Sequence, residues 1–224
     1  MITEKEKVID GLVNNAGVMF APKSVTEDGI EVHWGVNHLG HFLLTKLLED
    51  SLENGGRVLF MVNLEYRKAY NGVKFEDLNM EKEYDKCYAF YQSQLANVLL
   101  TQALASELRP KMITVNCVYP GIVSGTQIKR HMSVDKSFSF GAISRGLLRI
   151  TERSVKDSVY TPVFLLTDRS VAGITGKMFK DMNEIAYVDR AVDSLAGQKL
   201  LAVDEYWTGL KSKEELLALR NKQN

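Results

Sequence analysis

The run Val8-Ile9-Asp10-Gly11-Leu12-Val13, followed directly by Asn14-Asn15-Ala16-Gly17, is where the fold of this 224-residue chain is decided. An apolar segment of strand length that stops in a polar, glycine-containing turn predicts a strand ending at a sheet edge. Working outward, Arg57-Val58-Leu59-Phe60-Met61-Val62 is a continuous apolar run, as expected of a strand buried on both faces. Ile113-Thr114-Val115-Asn116-Cys117-Val118 is a third strand, broken by Pro120-Gly121. Between them lie stretches of helical period. One runs over 36–53, with Leu39, Phe42, Leu43, Leu47 and Leu48 on one face and Asn54-Gly55-Gly56 as its stop. The other runs over 87–108, with Leu95, Leu99, Leu100 and Leu104 on one face and Arg109-Pro110 at its end. Alternating strand and helix patterns predict an α/β layered fold with a parallel sheet.

Further along, residues 122–150 lack a clean period. Ser154 with Asp157 reads as an N-cap pair opening a helix that Pro162 interrupts, and Gly176–Phe179 as a short closing strand. Ser212 with Glu215 reads as a capping box for a last helix over 214–220.

Composition narrows the class. With 45% hydrophobic and 25% charged residues, the chain reads as one soluble globular domain over 1–224. Twenty-eight basic residues balance 28 acidic ones, so no global field argues for nucleic acid or an anionic membrane. Two cysteines, Cys87 and Cys117, both on segments that read as buried, fit a reducing compartment better than a disulfide framework. The opening MITEKEKVID has no apolar leader core, and no segment approaches the roughly 20 apolar residues that span a bilayer. The expectation is a cytoplasmic protein without a transmembrane segment. None of His33, His38, His41 and His131 has acidic or thiol ligands at metal spacing, and His38-Leu39-Gly40-His41 reads as a surface pair.

Four motifs in order resemble the short-chain dehydrogenases: NNAG at 14–17, VNHLGHFLLT at 36–45, SQLANVLL at 93–100 and YPG at 119–121. The nearest subgroup is the retinol-dehydrogenase-like enzymes, which GKMF at 176–179 and Tyr206-Trp207 also match. The resemblance runs from about Val8 to Leu210. It implies a partial Rossmann-type, doubly wound parallel sheet that starts at the family's fourth strand, with NADP or NAD bound beyond the carboxyl edge. No glycine-rich phosphate turn is found in the sequence, because Gly55-Gly56 follows a helix rather than a strand.

In the family a tyrosine moves the proton, a lysine four residues later lowers its pKa, a serine holds the substrate oxygen and an asparagine serves the proton relay. Anchored on Leu95-Ala96-Asn97, the lysine position falls on Gln94 and the tyrosine position on Phe90. The serine position falls on Asn63, and the asparagine is retained as Asn37. Phe90 has no titratable proton and Gln94 no charge. The cofactor contacts carried over are Asn14, Ala16, Gly17, Pro120, Gly121 and Val123. Ser124-Gly125-Thr126 inserts one residue before the threonine that would meet the nicotinamide amide.

Tyr91 and Tyr88 read as turned away from the Phe90 direction on their helix. The literal Tyr70-x-x-x-Lys74 encloses the turn Asn71-Gly72 and reads as a decoy. Lys129-Arg130-His131 reads as a solvated loop start. The expectation is an inactive family member that binds no cofactor. An active oxidoreductase of retinol, retinal or other lipophilic carbonyls stands as the alternative, beside a truncated product or a module that dimerises through helices 36–53 and 87–108.

Overall fold

A computed structural model describes residues 8–131, 152–212 and Glu215. The core is a five-stranded sheet. Strand β1 (Ile9–Asn14) lies at one edge and pairs in parallel with β2 (Leu52–Met61), which pairs in parallel with β3 (Thr114–Tyr119). A short β6 (Met178–Lys180) extends the parallel set, and β7 (Asn183–Ile185) closes the other edge antiparallel. Separately, β4 (Ile122–Val123) pairs with β5 (Glu152–Arg153).

Strand alternation explains why the run from Val58 to Val62, at the end of β2, reads as unbroken apolar sequence. Val58, Phe60 and Val62 point into the larger core, while Leu59 and Met61 point to a second cluster on the opposite face. The larger core is covered by the π-helical segment Trp34–Leu39, by α1 (Gly40–Leu48) that continues it, by α2 (Lys86–Glu107) and by α5 (Ser194–Trp207). The second cluster is covered by α4 (Tyr160–Thr167), whose Leu165 packs on Leu59, Val118 and Phe179. Helices on both faces of a parallel sheet are the doubly wound arrangement that the sequence predicted.

The helix predicted to run to residue 53 ends sooner. It turns through a 3₁₀ segment, Glu49–Ser51, and Leu52 is already extended and paired with Ile9. Asn54-Gly55-Gly56 therefore lies within the extended segment and is not a helix stop. Ser154 caps α3 (Val155–Ser158) by accepting from the Asp157 N–H at 3.1 Å. The break before α4 falls at Val159, three residues ahead of Pro162. Pro162 has no N–H to offer the Ser158 carbonyl, so the chain restarts there and keeps the proline in a first turn, where its missing donor is tolerated. The capping box is formed: Ser212 N–H donates to Glu215 Oε2 at 2.6 Å and Glu215 N–H to Ser212 Oγ at 3.2 Å. The helix predicted over 214–220 otherwise lies outside the described residues.

Helix α5 was not anticipated. Its N-cap Asp193 accepts from the N–H groups of Leu195 and Ala196, and its Gly197 faces the Leu99 carbonyl and Ala103 of α2. Because α5 lies on α2, most of α2 is buried and little of it remains exposed for pairing. Helix α1 keeps Leu44 and Leu47 exposed.

Helix α2 begins at Asp85, whose carboxylate accepts from the N–H groups of Cys87 and Tyr88 at 2.8 and 3.3 Å. Asp85→Ala should lower stability by about 1 kcal/mol. In urea unfolding this moves the midpoint down and leaves the slope unchanged.

Candidate functional site

The carboxyl ends of β1, β2 and β3 open into one cleft of about 620 Å³. The β1 turn supplies Asn15 to Phe20, the end of β2 supplies Met61 to Glu65 with Lys68, and the end of β3 supplies Tyr119 to Val123. Asn37 and one face of α2 close the floor, and Thr126 to Ile128 with Arg130 form a rim. This volume falls within the range usual for small-molecule sites, and its position is where open α/β sheets bind ligands.

Of the sequence candidates, Asn37, Asn63, Phe90, Gln94, Ala16, Gly17, Pro120, Gly121 and Val123 all line this cleft. Asn14 does not. Its side chain is buried, and Nδ2 donates to Thr45 Oγ1 at 2.9 Å, tying β1 to α1. Thr126 lines the cleft despite the inserted residue, because Gly125, at φ +72°, turns the chain back.

Asn37 is spent on structure. Its Oδ1 accepts from Val18 N–H at 2.8 Å, and its Nδ2 donates to Val18 C=O at 2.9 Å and Ser93 Oγ at 3.0 Å. The Asn37 carbonyl in turn accepts from Asn97 Nδ2 at 2.8 Å. Gln94 Oε1 accepts from Asn63 N–H at 2.8 Å, and Asn63 Oδ1 caps the next turn by accepting from Glu65 N–H at 2.9 Å. Both amide nitrogens, Gln94 Nε2 and Asn63 Nδ2, have no hydrogen-bond partner among the described residues. Phe90 is 1% exposed and stacks edge-on with Phe20 at 5.3 Å and His33 at 6.2 Å.

Several cleft groups escaped the sequence reading. Tyr91 lines the same wall as Phe90, contrary to the expectation that its side chain turns away. Cys87, Phe90, Tyr91 and Gln94 stand at i, i+3, i+4 and i+7, a helical face wide enough to hold both aromatics. That spacing was the available signal. Lys68 Nζ lies 5.6 Å from the Tyr91 ring centroid and pairs with Glu65. The Glu65 bond raises the Lys68 ammonium above its ordinary range, and burial raises the Tyr91 hydroxyl although the Lys68 charge opposes it. Arg130, read as solvated, borders the cleft. Cys87 is partly exposed rather than buried, and burial pushes its thiol up; Cys117 is buried and pushed up to about 12. Neither is a poised nucleophile. Tyr70 is exposed, and Lys74 stacks on Tyr88 at 4.7 Å, so that Y-x-x-x-K match is indeed not a pair.

The histidines are not a surface pair. His38 is wholly buried, bridging Asn97 Oδ1 and Asp204 Oδ2 at 2.9 Å each. Burial raises the Asp204 carboxyl, against the pull of His38. His33 Nε2 accepts from Ala21 N–H at 3.1 Å, so Nδ1 carries the proton it gives Glu31 Oε1 at 2.7 Å. Burial alone would raise Glu31, yet its bonds from His33 and Trp34 N–H hold it below the usual range. His41 is buried with neither ring nitrogen partnered, and burial drops its pKa to about 4. Among the described residues no three His, Cys, Asp or Glu gather as a metal site, and no helix is long and apolar enough to cross a membrane.

The family model described as enoyl-(acyl carrier protein) reductase matches residues 1–180. The chain belongs to the short-chain dehydrogenase/reductase family. It is 34% identical to retinol dehydrogenase 14 of Mus musculus over 213 residues, covering 93% of this chain and 62% of that protein. It is 35% identical to retinol dehydrogenase 13 of Homo sapiens over 218 residues, covering 94% of this chain and 64% of that protein. The chain thus spans about three-fifths of the length of the curated relatives it matches. A solved protein from Mycobacterium Paratuberculosis is 26% identical, with TM-score 0.64, over 93% of this chain and 70% of its own. A short-chain dehydrogenase from Burkholderia cenocepacia, solved in complex with NADP, shares the fold at 22% identity and TM-score 0.58, covering 80% of this chain and 66% of its own.

A short-chain dehydrogenase cofactor has two ends to satisfy. The Ala16–Gly17 turn, carried over for the adenosine side, and the Pro120–Val123 edge, carried over for the nicotinamide, both lie on the cleft. The phosphate end is not matched among the described residues. The first N–H groups of the Trp34 segment, α2, α3 and α5 are met by Glu31, Asp85, Ser154 and Asp193, so these helix starts are already capped by the chain itself.

Asn37→Ala leaves the Val18 N–H and C=O without partners in a buried turn and should destabilise the fold by roughly 2–4 kcal/mol, read by denaturant unfolding. His41 binds a proton more weakly folded than unfolded. Its contribution is whole above about pH 6.5 and is lost as pH falls to about 4, a difference of roughly 3 kcal/mol. His41→Leu should flatten that part of the stability profile relative to the parent chain.

Proposed function

We propose that this chain is a short-chain dehydrogenase/reductase-type binding protein whose cleft takes a lipophilic carbonyl compound, retinoid-like in class, without carrying out the family's proton transfer. One observation carries the reading: the two positions that should form the proton-moving pair are Phe90 and Gln94, and both line the cleft. Phe90 offers a ring and no proton. Gln94 offers an amide whose oxygen is already engaged by the Asn63 backbone, and it brings no charge to lower a neighbour's pKa. A positioned general acid is worth on the order of 10²–10⁴ in rate.

What is left favours binding. The unpartnered amide nitrogens of Asn63 and Gln94 are neutral donors suited to a carbonyl oxygen. Phe20, Met61 and Ile122 supply apolar walls, with Phe90 buried behind Phe20. The names of the relatives, retinol dehydrogenases 13 and 14, support the ligand class. NADP or NAD would supply a hydride when bound, with Ala16 and Gly17 on its adenosine side and Pro120, Gly121 and Val123 at its nicotinamide edge. Self-association in this reading would use the exposed face of α1. A cytoplasmic location goes with it, since both cysteines are free thiols.

Purified chain mixed with NADPH and retinal should show no reduction above the uncatalysed rate, while retinal still quenches the cleft's aromatic fluorescence. Steady turnover that is lost in Gln94→Ala would contradict the reading and favour the active oxidoreductase.

A further inference from the structure

We propose that the Tyr91 hydroxyl is the group that recognises the oxygen of an uncharged lipophilic ketone or aldehyde in this cleft, taking over a role the Phe90 position has given up. The inference rests on the cleft reading above and names the group that reads the ligand. Phe90 is sealed beneath Phe20, whereas Tyr91 is half-buried on the same wall, with the Phe20 ring edge-on to it at 6.0 Å. One residue along the helix, the aromatic wall thus regains the hydroxyl that Phe90 lacks.

Its surroundings fix what it can do. The Lys68 ammonium sits 5.6 Å from the ring centroid, and the Glu65 carboxylate, paired to that ammonium, stands within reach of the hydroxyl. Burial and the Glu65 carboxylate beside it keep the hydroxyl protonated, so it acts as a donor, with Glu65 the acceptor that a ligand oxygen must displace. Because Glu65 already neutralises Lys68, this end of the cleft calls for a neutral acceptor oxygen rather than an acid head group. Gln94 Nε2, one turn further along the same face, is a second neutral donor.

The test is displacement of an apolar fluorescent dye from the whole chain by 2-decanone, decane and decanoate. Wild type should prefer the ketone over the alkane. Tyr91→Phe should weaken the ketone by about 3–10-fold while decane and the thermal midpoint stay unchanged. Ketone affinity should also stay level from pH 6 to 9, because the hydroxyl does not titrate there. If Tyr91→Phe binds the ketone as well as wild type, the assignment of Tyr91 is wrong while the cleft reading stands. Decanoate displacing dye better than the ketone overturns the neutral-oxygen assignment. If none of the three displaces dye from wild type, the cleft reading itself falls and this inference with it.

Discussion

The amide of Asn37 is the fixed point on which the cleft depends. It closes onto the backbone of Val18 from both sides and reaches Ser93 on α2, so one side chain joins the β1 turn, the π-helical segment and the floor helix. The π-helical winding of Trp34–Leu39 is consistent with this demand, since such bulges recur where a helix must place a residue out of its regular register. Behind it, Asn97 binds the Asn37 carbonyl and His38, and His38 reaches Asp204 on α5. Four elements are thereby locked by buried polar contacts that are nearly complete, with Asp204 Oδ1 left over. Such a lattice is costly to break at any one member and gives the cleft a rigid floor.

Against that floor, the substitutions at Phe90 and Gln94 are quiet ones. Neither disturbs packing: the ring fills an aromatic cluster, and the glutamine replaces a charge with a hydrogen bond to the neighbouring strand end. In the proposed reading, the scaffold that would hold a carbonyl is kept while the proton-handling pair is replaced. In this fold, function must be argued from the site rather than the architecture.

Much of this was legible in the sequence for a physical reason. The end of β2, from Val58 on, is buried on both faces, so its residues had to be apolar, and the run announced itself. The cleft candidates converged because parallel strands bring their carboxyl ends together, whatever their separation along the chain. Helix α5 was hidden because its exposed side is not polar throughout: Leu195 is 76% exposed, and Gly197 interrupts the apolar spacing. The capping Asp193 was the remaining signal. The histidines misled for a different reason. Two histidines three apart on a helix say nothing about burial, and the partners of His38 lie at Asn97 and Asp204, far along the chain. Tyr91 is hard to read from helix spacing alone, because a cleft accepts an arc of a helix face spanning more than one residue.

The account turns on whether a ligand oxygen is received by neutral amide and hydroxyl donors on the cleft wall. Side-chain amide signals of the ¹⁵N-labelled chain, followed by NMR while retinal is added to saturation, address this directly. The account predicts that the Asn63 and Gln94 side-chain amides shift with ligand while those of Asn37 and Asn97, locked in the floor, hold their positions. Saturable binding that leaves both Asn63 and Gln94 unmoved would contradict it.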